Sequence, residues 1–178
     1  MVIDEAYVDF GAESAVSLVK KYPNLLVTGT FSKSRSMAGA RLGYGVASCE
    51  IIADLNTLRC SSNPYNVNSM TLAMGKATLE NDDYSMDNCK RIIENREWTK
   101  GELARIGFEF TDSLANFIFA RHPNISGERV YTLLREKGVL VRHFTLDRIK
   151  DYNRITVGSL EQMKILIKSL EEILEEKE

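Results

Sequence analysis

Short apolar runs alternate with helical patterns over the first 60 residues of the chain. The runs at 2–3, 25–29 and 43–48 are predicted to be strands, because each is bounded by turn residues. Helices are predicted over 12–21, where Pro23 ends the helix, and over 51–59. An alternation of strands and helices is typical of an α/β fold.

Helical spacing of apolar residues continues through the middle of the chain. The sequence Ser61-Ser62-Asn63-Pro64 predicts a break in the chain. Long helices are predicted from about 67 to 104, with an interruption near 81–83. The apolar residues that support these helices are Met70, Met74, Ala77, Ile92 and Trp98.

From residue 107 the pattern changes to that of a compact α+β unit. Strands are predicted at 108–110, 117–120, 139–142 and 154–157, and helices at 127–137 and 160–177. Ser159 and Gln162 form a predicted capping box for the last helix. That helix carries an apolar stripe, which we interpret as the cover of a core: Met163, Leu166, Ile167, Leu170 and Leu174.

The composition of the 178-residue chain is that of a globular protein, with 44% hydrophobic and 27% charged residues. A formal net charge of −2 offers no basic surface, which argues against a nucleic-acid partner. No apolar stretch approaches the ~20 residues of a membrane span. Three cysteines without Cys-x-x-Cys spacing and two histidines without ligand spacing predict reduced thiols, a cytoplasmic location and no metal site.

Lys33 lies in the run 28–43, TGTFSKSRSMAGARLG, among small hydroxyl and glycine residues. A lysine amine can form a Schiff base with an aldehyde cofactor, and small neighbours let the cofactor approach the backbone. Thr30, Ser32 and Arg41 carry the hydroxyl and guanidinium groups that bind a phosphate. For the lysine and its serines alone a solvated loop is the simpler interpretation. The nucleotide phosphate loop is excluded, because its second glycine is missing.

Asp4 ends the first apolar run, and Tyr7 follows three residues later. A carboxylate can hold the proton on the pyridine nitrogen of pyridoxal phosphate, and a phenol can hydrogen-bond the oxygen on its ring. As isolated residues, an aspartate and a tyrosine are more often a cap and a packed aromatic. Together with Lys33 and Arg41 they predict a cofactor site.

These motifs, Asp4-x-x-Tyr7, Thr30-x-Ser32-Lys33 and the AGxRxG run at 38–43, resemble those of fold-type-I pyridoxal-phosphate aminotransferases. The segments NPYNVN at 63–68, ANFI at 115–118, GVLVRHF at 138–144 and RITVG at 154–158 resemble the histidinol-phosphate aminotransferase branch. The resemblance covers nearly the whole chain, but only the C-terminal half of the family's chain. It implies the end of the cofactor-binding large domain at 1–62, an interdomain helical segment at 63–106 and a small α+β domain at 107–178.

The resemblance also implies roles for the residues of the predicted cofactor site. Asp4 would pair with the pyridine nitrogen, Tyr7 would contact the ring hydroxyl, and Lys33 would bind the cofactor covalently. The residues that would face its phosphate are Thr30, Ser32 and Arg41.

Arg142 and Arg154 match two family arginines that bind the anionic end of the substrate. A single arginine at a strand end is usually a surface residue with weak ion pairs. Two arginines that both lie beside apolar strands fit a shared anion pocket better.

The implied activity is transamination between L-histidinol phosphate and 2-oxoglutarate or glutamate, in histidine biosynthesis, by a cytoplasmic homodimer. Lys33 would also move a proton as general acid and base. Aminotransferases for aromatic amino acids and threonine-phosphate decarboxylase share the lysine loop and stay open as alternatives. In related homodimers the loop at 60–68 lies near the partner's active site, so Asn63, Tyr65 or Asn68 would contact the partner's cofactor; alternatively, Tyr65 packs locally in a loop that starts a helix.

The family's N-terminal half would carry an aromatic residue that stacks on the cofactor ring and further phosphate donors. We therefore expect the 178-residue chain alone to be catalytically poor. A second hypothesis is a non-catalytic domain that associates without cofactor, and a third is a binding domain whose motif residues are scattered in space. Uncovered apolar sheet surface predicts self-association in either case.

Overall fold

The computed structural model of the chain describes residues 1–176. The chain divides into two compact units, Met1–Cys89 and Lys90–Glu178. One long helix, α3 (Asp82–Arg105), begins in the first unit and ends in the second. The division into three segments that the resemblance implies, with boundaries at 62/63 and 106/107, stays a prediction.

The first unit is built on a sheet of three strands, β1 (Val2–Asp4), β2 (Leu26–Thr30) and β3 (Gly43–Val46), in the order β1-β2-β3. The first two strands are parallel, with Ile3 opposite Val27, and β3 is antiparallel to β2. Short 3-10 turns lie at Val8–Phe10, Ala15–Lys20 and Ala38–Ala40. Two helices follow, α1 (Cys49–Ser62) and α2 (Ser69–Glu80).

The second unit contains a four-stranded antiparallel sheet of order β4-β5-β7-β6. Its strands are β4 (Glu109–Phe110), β5 (Phe117–Arg121), β6 (Arg142–His143) and β7 (Asn153–Thr156). Two helices, α4 (Gly127–Glu136) and α5 (Leu160–Glu175), complete it. Alternate strand residues point to opposite faces, so Ile118 and Ile155 join the buried core with the helices, whereas Phe119 and Arg154 belong to the other face.

Most predicted elements are confirmed, and the last helix follows its predicted pattern closely. The capping box of Ser159 and Gln162 is present, and four of the five predicted stripe residues are buried, namely Met163, Leu166, Ile167 and Leu170. The interruption of the long helices falls at Asn81, whose side-chain amide donates to the Ala77 carbonyl at 2.8 Å. The predicted end of the last helix at 177 lies outside the described residues.

The prediction of a helix over 12–21 was wrong in type and length. The structure has a 3-10 helix at Ala15–Lys20, whose start is set by Ser14, since the Ser14 side chain accepts from the Val16 N–H at 3.2 Å and caps the helix. The Glu5 carboxylate accepts from the Ser14 hydroxyl as well, which holds the start of the helix against the end of β1. Valine and serine have modest α-helix propensity, and short segments of this kind often form the tighter 3-10 helix.

The prediction of a strand at 139–142 was also wrong for its first three residues. Gly138 adopts a φ of +80° at the end of α4, where its N–H donates to the Arg135 carbonyl. The Val139 N–H donates to the Leu134 carbonyl at 2.8 Å, so it closes the helix instead of joining a strand ladder. The strand begins only at Arg142.

Two of the methionines that supported the middle helices do not lie in a core. Met70 is 76% exposed and Met74 is 53% exposed, although both belong to the predicted helix. Within residues 1–176, every helix is either too short or too polar to cross a bilayer.

We predict that truncation of Leu166 destabilises the second unit by about 3 kcal/mol, because a buried leucine leaves a cavity when it becomes alanine. Leu166 is 2% exposed in α5, whereas its neighbour Ile165 is 57% exposed. Leu166→Ala should therefore cost much more than the control Ile165→Ala, for which we expect less than about 1 kcal/mol. Urea unfolding followed by fluorescence of Trp98, the only tryptophan and a neighbour of this core, measures both. Equal losses in the two variants would show that α5 does not cover the core.

Candidate active site

The carboxyl edge of the first sheet carries most of the residues that the sequence singled out. Because β1 and β2 are parallel, Asp4 at the end of β1 and Thr30 at the end of β2 lie at the same edge. The antiparallel β3 starts there, with Gly43 opposite Thr30. This is the edge at which ligands bind in α/β sheets.

Lys33 and Tyr7, 26 positions apart in the chain, lie close together at this edge. The Lys33 Nζ lies over the Tyr7 ring, 5.6 Å from its centroid, which is within the range of a cation–π contact. Lys33 is exposed and Tyr7 is half-buried, so the amine is accessible to a ligand. Asp4 is exposed, and one of its carboxylate oxygens accepts from the Ala6 N–H at 3.0 Å.

The predicted phosphate-binding residues lie at the end of β2 and in the turn that joins β2 to β3. The Thr30 hydroxyl donates to the Leu42 carbonyl at 3.3 Å and accepts from the Ser32 N–H at 3.1 Å, which fixes the start of the turn. Arg41 adopts a left-handed backbone with φ +56°, and its guanidinium donates to the Ala38 carbonyl at 3.0 Å. Arg41 remains exposed at the end of the turn.

A group of charged residues that the sequence did not single out supports the lysine turn, the segment 31–42 that joins β2 to β3 and carries Lys33. Arg35 is almost buried, with 12% of its side chain exposed, and forms ion pairs with Asp9 and Asp82. Ser34 donates from its hydroxyl to the same Asp9 oxygen that Arg35 contacts. The lysine motif contained Ser34 and Arg35, but no local signal paired them with residues 25 to 47 positions away.

Tyr44 of β3 packs against the same turn. Its ring meets the Phe31 ring edge-on at 6.1 Å and lies so close to Gly29 that a side chain there would clash. Burial raises the pKa of the Tyr44 phenol, and the Asp9 charge raises it further, whereas the Arg35 charge opposes the shift.

In the second unit, Arg142 and Arg154 are directly opposite each other on β6 and β7. Opposite residues of an antiparallel pair share one face of the sheet, so both arginines lie on the face away from the core. Each guanidinium lies over an aromatic ring of that face: Arg142 is 5.6 Å from the Phe144 centroid and Arg154 is 5.3 Å from that of Phe117. Among the described residues, the buried Nε of Arg154 has no hydrogen-bond acceptor.

The loop at 63–68 matches only part of the alternative in which it starts a helix and Tyr65 packs locally. Asn68 caps α2, and its side-chain oxygen accepts from the Thr71 N–H at 2.8 Å, so the loop does start a helix. Tyr65 is 91% exposed, which contradicts the alternative that it packs locally. In the part of the chain that the structure describes, no cluster of three His, Cys, Asp or Glu residues is arranged to hold a metal.

Residues 1–170 match the family described as aminotransferase class I and II. The chain belongs to the class I and II aminotransferase family. It is 46% identical over 173 residues to a histidinol-phosphate aminotransferase of Chromohalobacter salexigens, an alignment that covers 97% of this chain and 49% of that protein. The chain therefore spans about half the length of the curated relatives it matches.

Solved structures confirm the expected α/β fold of this aminotransferase chain. The histidinol-phosphate aminotransferase from Clostridium acetobutylicum superposes with a TM-score of 0.86 at 26% identity, over 98% of this chain and 54% of that one. The Sinorhizobium meliloti enzyme, in complex with pyridoxal-5'-phosphate, gives a TM-score of 0.83 at 22% identity, over 99% of this chain and 49% of that one. At 22% identity, the similarity to the Sinorhizobium meliloti structure concerns the fold alone.

We predict that Tyr44 makes the first unit less stable at alkaline pH. The folded-state pKa of Tyr44 lies above the unfolded value of about 10. The contribution of Tyr44 to the free energy of unfolding is therefore complete below pH 10 and is lost as the pH rises through the folded pKa. Above pH 10, the free energy of unfolding of the wild-type chain should fall more steeply than that of Tyr44→Phe. Unfolding followed by circular dichroism between pH 8 and 11 measures the slopes, and parallel curves would contradict the prediction.

Proposed function

We propose that this chain is part of a pyridoxal-phosphate-dependent enzyme that transfers the amino group between L-histidinol phosphate and 2-oxoglutarate. The observation that carries the proposal is the placement of the Lys33 amine over the Tyr7 ring, at the sheet edge where Asp4 ends β1. Membership of the aminotransferase family and 46% identity to a histidinol-phosphate aminotransferase support this choice of reaction and substrate.

The residues at the carboxyl edge fit the chemistry of pyridoxal phosphate. Lys33 would bind its aldehyde carbon, Asp4 its pyridine nitrogen and Tyr7 its ring hydroxyl, because the amine, the carboxylate and the phenol belong to the same edge. The residues proposed for its phosphate lie at the end of β2 and in the turn that follows it: Thr30, Ser32 and Arg41. When bound, the cofactor supplies an electron sink for the substrate carbon.

The chain's own groups would then hold and move protons. The Asp4 carboxylate, exposed at the end of β1, is free to hold a proton on a bound heterocycle. The Lys33 amine, which lies next to the phenol on an exposed turn, would carry a proton to and from the substrate carbon.

Arg142 and Arg154 are proposed to bind the anionic end of the substrate. Their pairing across β6 and β7 places two arginines opposite each other on one face of the sheet, and the Phe144 and Phe117 rings support the two guanidinium groups. A phosphate would give the buried Arg154 Nε–H the acceptor that it lacks among the described residues.

A homodimer in the cytoplasm completes the proposal. Exposed large apolar side chains on α2 and the loop before it, Tyr65, Met70, Leu72 and Met74, offer a surface that a second copy would cover. Light scattering at high concentration measures the association.

We predict that Lys33→Ala abolishes covalent capture of the cofactor. Incubation with pyridoxal phosphate followed by borohydride should add one phosphopyridoxyl group to the Lys33 peptide of the wild-type chain, and mass spectrometry locates it. Lys76→Ala is the matched control, since Lys76 is 77% exposed on α2 and pairs with Glu80 in the same helix. Labelling spread evenly over the surface lysines would overturn the proposed cofactor site and favour a non-catalytic domain.

We predict that Arg154→Gln lowers kcat/KM for L-histidinol phosphate by about tenfold to a hundredfold, since a hydrogen bond to a charged group contributes about 1.5–3 kcal/mol. The loss should be small for phenylalanine, which has no phosphate. Arg121→Gln serves as control, because Arg121 on the same sheet already pairs with Glu109 at 2.7 Å. The assay measures transfer of the amino group to 2-oxoglutarate. It is run with the 178-residue chain alone and with a longer polypeptide that contains this chain and matches the full length of its relatives. A wild-type preference for phenylalanine or for threonine phosphate would refute the proposed substrate.

A further inference from the structure

Arg35 joins three segments of the first unit that are far apart in the chain. One terminal nitrogen contacts the Asp9 carboxylate and, at 2.9 Å, the Ser34 hydroxyl. The other terminal nitrogen contacts Asp82, at 2.9 Å, at the first position of α3. The guanidinium also lies over the Phe31 ring, 5.9 Å from its centroid, which limits its movement.

Two of these contacts fall beside the residues of the candidate active site. Asp9 belongs to the 3-10 turn Val8–Phe10, and Tyr7 is the residue that precedes this turn. Ser34 follows Lys33 directly and is itself buried. A single oxygen of Asp9 accepts from both Ser34 and Arg35, so it ties the Tyr7 segment to the Lys33 segment.

Charge balance makes this arrangement sensitive to the loss of Arg35. Burial by itself would lower the pKa of Arg35, but hydrogen bonds and charge from Asp9 and Asp82 outweigh it, so the pKa rises and the group stays cationic. Without the guanidinium, two partly buried carboxylates lose their common partner. A lysine ammonium is a compact charge and cannot reach both carboxylates through separate nitrogens, as the planar fork does.

We propose that Arg35 is a positioning residue that holds the Lys33 amine over the Tyr7 ring by way of Asp9 and Ser34. The proposal deepens the proposed function, because it assumes that Lys33 is the reacting amine. Arg35 itself touches neither substrate nor cofactor in this role. Its effect is to fix the turn from which Lys33 projects.

The test follows the Lys33 amine by NMR without any cofactor. Reductive methylation with ¹³C-formaldehyde gives each lysine one resolved signal and leaves the amine cationic. The ring current of Tyr7 should displace the Lys33 signal, and Tyr7→Leu defines the position without the ring. Arg35→Met should move the signal to that position, and Arg35→Lys should move it part of the way.

The control is Arg105→Met, since Arg105 also pairs with two carboxylates, Glu102 and Glu171, but is 53% exposed and lies in the second unit. It should leave the Lys33 signal unchanged. A Lys33 signal that stays in place in Arg35→Met overturns the proposal, as does a wild-type signal that Tyr7→Leu does not move. If Arg35→Met does not fold, the isosteric Asp9→Asn replaces it with the same expected shift.

Failure of this proposal and failure of the proposed function give different results. Borohydride labelling with pyridoxal phosphate tests the function, and the methyl signal tests the position of the amine. If the signal moves in Arg35→Met but the wild-type chain shows no selective label, Arg35 positions a lysine that does not bind the cofactor. If the label is selective for Lys33 and the Lys33 methyl signal does not move in Arg35→Met, the cofactor site forms without a contribution from Arg35.

Discussion

The parallel pairing of β1 with β2 is the constraint on which the candidate active site depends. Because both strands run the same way, the residues that follow them, Asp4 and Tyr7 after β1 and Lys33 after β2, emerge at one edge. An antiparallel pairing would place these two strand ends at opposite edges. The return of β3 in the antiparallel direction then brings the end of the lysine turn, near Gly43, back to the same edge.

The core of the second unit and the lysine turn of the first unit are stabilised by different kinds of contact. The second unit has a contiguous apolar core that includes Ile118, Leu134 and Leu166, and its sheet and both helices close around it. The lysine turn of the first unit depends on Asp9, Arg35 and Asp82, which fix its backbone through directional contacts. Directional polar contacts define a turn more narrowly than apolar packing does, which suits a segment that must present one amine in one place.

Aromatic rings restrict the movement of the Arg142 and Arg154 side chains in the second unit. Phe144 and Phe117 lie beneath the Arg142 and Arg154 guanidinium groups, so the flexible side chains are ordered before any anion arrives. A preordered side chain loses less conformational freedom on binding, which favours affinity for an anion. The same rings keep these guanidinium groups on the sheet face away from the core.

The sequence by itself determined the elements whose signals are local: the β2 strand, the capped last helix with its apolar stripe, the break at Asn81 and the motif around Lys33. It did not reveal that Gly138 would draw Val139 into the end of α4, because two local signals competed there and the helix cap prevailed. Only the tertiary structure decided that Asp9 meets Ser34 and Arg35 and that Arg142 faces Arg154. Those contacts depend on strand pairing and register between distant segments, and such long-range pairing is set by the packing of the whole fold.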